Sequence, residues 1–349
     1  IERKGNKYYL ARVAQDVTIP STIHDVIMAR VDSLPEAAKG VLQTGSVVGR
    51  EFSHDLIRRV TGLPEQELLS HLSVLKDSEL LYERGIYPES TYIFKHALTQ
   101  DTTYQSLLKS TRQKYHRKIA EVLKKDFPDT VETQPELLAH HYTEAGLNEQ
   151  AVGYWHRAGK RAAQRSAHVE AINHLTKGLE VLMTLPDTLE RARQELDLQV
   201  TLGPVLMSLK GQSSPDTERA YARARELCQQ LGETSQLFPV LCGLGRFYMV
   251  RAELQTAREL AEQLFSLAQR VQDTAFLLEA HRVMGQTLYW FGEMVVARGH
   301  FEQGMALYDP RKHRSHAFVY GQDPGVACRS FAAKPIWVLG YPDQSLQSI

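Results

Sequence analysis

Two stretches of the chain read almost as copies of each other: GRFYMVRAELQTARELAEQLFSLAQ, starting at Gly245, and GQTLYWFGEMVVARGHFEQGMALYD, starting at Gly285. Gly245 matches Gly285, Glu253 matches Glu293, and Ala257 and Arg258 match Ala297 and Arg298. Glu262 and Gln263 match Glu302 and Gln303, and Leu267 matches Leu307, every pair 40 residues apart. A period of this length in helical sequence specifies stacked helix pairs. One pair alone cannot bury its apolar face, and the next pair supplies the missing surface. A small residue at one repeated place lets two helices approach, while large ones fill the gap between neighbouring pairs. The segments AEL (252–254) and FGE (291–293) mark the turns inside the pairs.

Other segments follow the plan more loosely. YTEAGLNEQAVGYWHRAGKRAAQ (142–164) has the placement of a tetratricopeptide unit, and SAHVEAINHLTKGLEVL (166–182) and ERAYARARELCQQLG (218–232) read as second helices of their pairs. GQDPGVACRSFAAKPIWVLGYPDQSL (321–346) opens a last, truncated pair that turns at Gly340 to Asp343. Residues 126–349 are therefore expected to form a right-handed tetratricopeptide-like α-solenoid of about four or five pairs. The spacing is uneven and longer than the usual period of about 34 residues.

The first third is organised differently. Residues 1–33 give a strand-like run, KYYLARV, and then a helix starting near Pro20, Ser21 and Thr22, with Ile23, Val26, Ile27 and Val31 at helical spacing and Arg30 on its flank. Residues 34–125 read as three helices, a hairpin and a long basic helix. The first helix ends near Gly49. Ser53 caps the second and Gly62 stops it. The third has Pro64 at its first position and acid in its first turn. LLYER, a turn at GIYPES and TYIFKHA make the hairpin, although the alternation through Tyr92, Phe94 and His96 is only partly clean. The basic helix is QSLLKSTRQKYHRKIAEVLKK. Three helices followed by a hairpin is the winged-helix order, so the fold class expected is mainly all-α: a winged-helix domain followed by a solenoid.

Several chemistries are excluded or left without support. Lys and Arg equal Asp and Glu at 41 each, so the whole chain offers no electrostatic footprint for nucleic acid or anionic lipid. No GxxxxGK[ST] occurs, and GSVVGRE (45–51) lacks the Lys-Ser/Thr that would hold phosphate, so it reads as a helix end. GLGRFY, around Gly243 and Gly245, follows no strand and fails as a dinucleotide loop. His140 and His141 point to different helix faces and have no HExxH or cysteine pair beside them, which argues against a metal. No GxSxG is present, and the chain by itself reads as non-catalytic. A winged helix raises DNA binding, but its third helix carries Glu65, Glu67, Asp77 and Glu79 against Lys76 alone, which opposes approach to phosphates. The basic residues Lys109, Arg112, Lys114, Arg117, Lys118, Lys124 and Lys125 fall on the helix after the hairpin and read as a solvated face. The aromatic stretch Phe247, Tyr248, Tyr289, Trp290 and Phe291 either lines a ligand groove or forms inter-repeat core, with core the stronger reading. Cys228, Cys242 and Cys328 have no ligand spacing and suit a reducing compartment. No apolar run reaches membrane-spanning length. A start without Met and an end that reads as a helix beginning give the expectation of a cytoplasmic piece of a longer chain.

IPSTIHDVIMARVDSLPEAAKGVLQTGSVVGREFSHDLI, followed by YIFKHALTQDTTYQSLL and tetratricopeptide-like pairs, resembles the C-terminal part of a STAND-type signalling ATPase. In particular it is similar to the bacterial proteins that join a class III adenylate/guanylate cyclase domain to an AAA ATPase module and a helical repeat arm. The maltose-activator type of LuxR regulator is similar in plan. The resemblance covers nearly the whole chain. It implies that 1–33 is the end of an ATPase or lid region, and that a protein or small effector binds the solenoid and biases a switch closed with ADP and open with ATP. The P-loop and Walker B strand are absent here, so no cofactor is expected in this chain itself, and ATP or ADP belongs to the parent protein. The expected partners are that effector and the upstream ATPase, with a possible cyclase domain; neither nucleic acid nor membrane is expected. A ligand-sensing arm of a LuxR-type transcriptional regulator is the alternative. The resemblance also places His96, in FKHAL, where a histidine of several such proteins reaches the β-phosphate of ADP. An imidazole N–H beside a helix N-terminus suits that anion, while capping or packing at the strand–helix junction is the competing role. Arg30 is a second, weaker candidate for facing the nucleotide.

Overall fold

The computed structural model describes residues 2–4, 7–9, 21–232 and 235–348. Residues 10–13 of the expected strand run and Pro20 of the expected helix start lie outside the described residues. The described residues divide into two compact units, one up to 131 together with 144–146, the other comprising 132–143 and 147 onward.

In the first unit β1 (Glu2–Lys4) pairs antiparallel with β2 (Lys7–Tyr9). Helix α1 (Ser21–Asp32) follows, and its predicted apolar stripe is only half used. Val31 is fully buried and Ile27 packs beside it, whereas Ile23 and Val26 are exposed, because only the C-terminal half of the stripe meets the core. Helix α2 (Glu36–Val48) ends at Gly49 and buries Ala38, Val41 and Leu42. Gly45, in the GSVVGRE segment, lies inside α2, where an added Cβ would stand 2.6 Å from the Phe52 ring. It is a packing glycine.

After β3 (Glu51–Ser53), the Ser53 hydroxyl accepts from Leu56 N at 3.2 Å and opens α3 (His54–Thr61). Gly62, at φ 74°, closes it in the left-handed conformation that glycine adopts without strain. Helix α4 (Glu65–Asp77) starts one residue after Pro64, with Glu65 and Glu67 in its first turn. Strands β4 (Leu81–Arg84) and β5 (Thr91–Phe94) complete a sheet of order β3-β5-β4, antiparallel throughout, with Phe52 opposite Tyr92 and Tyr82 opposite Ile93. The unclean alternation now has a cause. β5 is the middle strand and buries Tyr92, Ile93 and Phe94 in succession, on both faces.

The single basic helix expected from Gln105 is two helices, α5 (Ala97–Ser106) and α6 (Lys109–Asp126). Leu107 and Leu108 between them are extended, with ψ of 138° and 145°. The break turns Leu107 inward and lets α6 bury His116, Ile119, Ala120 and Leu123, leaving most of its lysines in solvent.

Helices α7 (Pro128–Thr133) and α8 (Pro135–Glu144) lead into the second unit. There α9 (Asn148–Gln164) packs on α10 (His168–Leu182), and α11 (Leu189–Lys210) on α12 (Pro215–Leu231). Helix α13 (Leu237–Val250) packs on α14 (Leu254–Val271), and α15 (Thr274–Phe291) on α16 (Met294–Leu307). Short helices α17 (Pro310–His313) and α18 (His316–Tyr320) precede a last pair, α19 (Pro324–Val338) and α20 (Pro342–Gln347). A continuous apolar core runs from Ala192 to Ile336. The 40-residue repeat is legible in the backbone. Ala252 and Gly292 turn at φ 60° and 86°, and Glu253 and Glu293 follow at φ,ψ of −82°,60° and −81°,62°. Arg258 pairs with Glu262 at 3.1 Å and Arg298 with Glu302 at 2.7 Å, while Arg258 also reaches Glu293 of the next repeat at 2.8 Å. Small residues set the helix spacing. The Tyr221 ring of α12 lies against Gly203 of α11 and Gly243 of α13, where an added Cβ would approach its Cζ to 2.5 and 2.2 Å. Gly243 of the GLGRFY segment is therefore also a packing glycine.

Candidate functional site

Two places could carry function, one in each unit. In the first unit the sheet brings His96 and Arg30 to one corner. His96 sits in extended backbone immediately before α5, its ring exposed and making no cap hydrogen bond. Its carbonyl accepts from Thr99 N at 3.0 Å, so the backbone starts the helix without help from the imidazole. Beside it Lys95 Nζ lies 3.1 Å from a Glu79 carboxylate oxygen. Arg30 Nη2 donates to the Ser78 carbonyl at 2.8 Å, at the C-terminus of α4, where a cation favours the helix dipole. Lys95 first, then Arg30 and His96, hold the Glu79 carboxyl below its ordinary value. The corner thus gathers Arg30, Lys95 and His96 round one carboxylate at the start of a helix whose first turn holds no acid.

In the second unit a cavity of about 470 Å³ opens beside α13, α15 and α19. Arg246, Gln286, Gln322 and Gln212 supply its polar lining, and Met249, Val250, Leu254, Trp290 and Phe331 the apolar one. Arg246 and Gln286 occupy the same repeat position, as do Val250 and Trp290 one helical turn further on. Equivalent positions of α13 and α15, the first helices of consecutive pairs, therefore form a polar row and, beside it, an apolar row. Trp290 is 52% exposed although its neighbours Leu288 and Thr287 are buried.

Beneath the polar row lies a buried network. Glu279 and Arg282 are fully buried, with Nε–Oε2 at 2.6 Å. The other Glu279 oxygen takes His316 Nδ1 at 2.9 Å, and Arg282 Nη1 donates to Gln286 Oε1 at 3.1 Å. Gln322 Oε1 accepts from Arg246 Nη2 at 2.9 Å and from Arg282 Nη1 at 3.4 Å. Glu279 thus neutralises Arg282. Arg246 has only Gln322 and, at 3.5 Å, the Met207 sulfur, with no carboxylate at ion-pair distance among the described residues. Burial, then repulsion from Arg282, push its guanidinium down to about 10, which leaves it charged at neutral pH.

Of the five aromatics at first weighed for a groove, only Trp290 lines the cavity. Phe247 is fully buried, Tyr248 and Tyr289 pack against the core, and Phe291 lies under Arg258. Sequence reading missed Arg246, Gln286 and Gln322. Arg246 carried a signal, because it is the sole charged residue of the otherwise apolar α13.

Other groups offer little chemistry. Cys228, Cys242 and Cys328 are free and buried, and burial pushes the Cys328 thiol up to about 12. His140 is exposed and His141 buried, on different faces of α8. No group of three or more metal-ligating side chains, and no helix long and apolar enough to cross a membrane, occurs among the described residues.

No protein-family model matches the chain. It is 26% identical over 242 residues to an uncharacterized protein of Rhizobium meliloti (strain 1021), a match covering 68% of this chain and 23% of that protein. The chain thus spans about a quarter of its curated relative. Among solved structures, NprR in complex with its cognate peptide NprX aligns at TM-score 0.49 and 11% identity, over 84% of this chain and 74% of that one. A Rap protein complexed with competence and sporulation factor aligns at 0.47 and 12%, over 93% and 74%. A STAND protein with a tetratricopeptide repeat sensor from Pyrococcus horikoshii aligns at 0.42 and 11%, over 93% and 51%.

Proposed function

We propose that the chain is the sensing and relaying arm of a nucleotide-dependent signalling switch, and that its effector is taken up in the solenoid cavity. The observation that carries the effector site is Arg246. A buried cation without a carboxylate costs folding free energy. Here that cation lines a cavity beside an exposed tryptophan, as a binding site needs and a merely structural arginine does not. A variant keeping Trp290 as the only tryptophan (Trp155→Phe, Trp337→Phe) is expected to shift its emission when small acids or short peptides are titrated in. A flat response to every ligand tried would leave the solenoid as scaffold only.

Residues 34–125 are proposed as a winged-helix domain, on the order α2, β3, α3, α4, β4, β5. The acidic start of α4 is tied to its own domain, with Glu65 on His54 at 2.7 Å and on Tyr87 at 3.1 Å. This suits a relay better than a DNA-reading helix. Residues 1–33 are proposed as the end of the ATPase or lid region. With an ATPase core of the parent protein in place, His96 would donate to the β-phosphate of ADP, aided by the N-terminus of α5, while Arg30 secures α4 and faces the same corner. Through that core the output would reach a cyclase domain. In the extended protein His96→Ala is expected to weaken ADP about tenfold, roughly 1.4 kcal/mol, and ATP much less. Isothermal titration with both nucleotides reads this, and equal ADP affinity would confine His96 to the helix start.

A further inference from the structure

We infer that the solenoid cavity recognises a single carboxylate attached to a flat apolar group, with Arg246 holding the anion and Trp290 and Phe331 the apolar part. This rests on the reading of the cavity as an effector site and adds the ligand's chemistry. Charge is the first argument. Glu279 pairs with Arg282 and His316, so the guanidinium of the network left without a carboxylate is that of Arg246. One charge matches one carboxylate, whereas a phosphate dianion would bring two negative charges to a site where Arg246 is the one cation among the described lining residues, the exposed Lys334 ammonium lying over the Phe331 ring at 4.2 Å.

Geometry is the second argument. Gln322 sits on the Arg246 guanidinium and Gln286 lines the same cavity; Arg246 and Arg282 donate to the Gln322 oxygen and Arg282 to that of Gln286, so both amide oxygens are occupied as acceptors. Their amide NH₂ groups remain as donors, the hydrogen-bonding character that a carboxylate needs. One helical turn beyond, Val250 and Trp290 offer apolar surface at matched repeat positions, and Phe331 and Met249 complete it. A carboxylate about one turn from a flat aromatic group is what these two rows are spaced to accept. Two sources present that chemistry, a free aryl acid and the aromatic C-terminal residue of a peptide.

The test uses the full chain and four probes: 3-phenylpropionate, its neutral amide, an N-acetylated pentapeptide ending in phenylalanine with a free carboxylate, and the same peptide amidated. Calorimetric titration is expected to show at least one acid binding tenfold or more tighter than its amide. Arg246→Met is expected to abolish that discrimination while leaving the melting temperature unchanged or raised, since it removes a buried uncompensated cation of similar shape. Trp290→Ala, at an exposed position, is expected to weaken acid and amide alike and guards against a failure of the Met variant to fold. Tighter binding by the peptide acid identifies a chain terminus as the source, and tighter binding by phenylpropionate a small acid. Amides that bind as well as acids would overturn carboxylate recognition and leave an effector cavity of other chemistry. No binding by any of the four would overturn it as well, while the emission of Trp290 with other ligands separately decides whether the cavity is an effector site.

Discussion

Glu279→Ala is expected to lower the stability of the solenoid unit by about 3–5 kcal/mol, because it strands a buried arginine. Arg282 is fully buried and has one carboxylate, Glu279, at 2.6 Å; its remaining partners are the neutral amides of Gln286 and Gln322. The repeat's surface pairs set the contrast. Arg258–Glu262 and Arg298–Glu302 have similar distances but are open to solvent, where water screens the attraction and either partner can be lost at little cost. In a unit of this size the loss corresponds to a fall of roughly 6–20 °C in melting temperature. Removing both charges together, as Glu279→Leu with Arg282→Met, is expected to recover much of it, since the penalty lies in the unpaired charge. Acid provides a second readout. Burial works to raise the Glu279 carboxyl, but Arg282 and His316 hold it below its ordinary value. Its stabilisation is therefore complete above the unfolded-state pKa of about 4.3 and is lost as pH falls through the lower folded value. Wild type should lose stability more steeply below about pH 4 than Glu279→Gln, which has no charge there to lose. Parallel acid profiles for the two proteins would mean that the pair is not what stabilises this layer.

How much of this was legible in the sequence depends on where each partner sits along the chain. The turns at Ala252 and Gly292 and the Arg258–Glu262 and Arg298–Glu302 pairs follow from local pattern, and a repeat displays local pattern twice. Glu279 and Arg282 also have a surface-like i,i+3 spacing, and nothing local marks them as buried. What buries them is α18 and its flanks, which bring His316 and Gln322 back over α15 from outside the repeat. The cavity was half legible. The match of Arg246 to Gln286 is in the sequence, but its meaning depends on Gln322 and Phe331, which the inserted segment and α19 supply. In the first unit the position of His96 at a strand–helix junction was readable, whereas its neighbour Glu79 arrives only through the pairing of β4 with β5. The break at Leu107 and Leu108 had no local signal either, since leucine favours helix and only the burial of Leu107 repays the extended backbone.

Phe301→Ala is expected to cost about 3–5 kcal/mol and Gly285→Ala about 1–3 kcal/mol, yet the two together should cost clearly less than their sum. Phe301 of α16 is fully buried, and its ring lies against Gly285 of α15, where an added Cβ would stand 2.7 to 3.0 Å from three ring carbons. A methyl there must displace a ring that the core does not let move. Truncating the ring leaves a cavity into which that methyl fits. The protein already contains the relieved combination. One repeat earlier the equivalent residues are Gly245 and Ala261, and nothing comes nearer than 3.8 Å to a Cβ built on Gly245. Gly245→Ala should therefore be neutral or stabilising by up to about 1 kcal/mol, the helix preference of alanine over glycine. Urea denaturation of the four members of the 285/301 cycle and of Gly245→Ala measures each term. Strict additivity in the cycle, or equal losses at Gly245 and Gly285, would mean that the repeat packs by a uniform rule. Coupling with a silent Gly245 would mean that each turn of the solenoid sets its own helix spacing, through the size of the residue that faces the glycine.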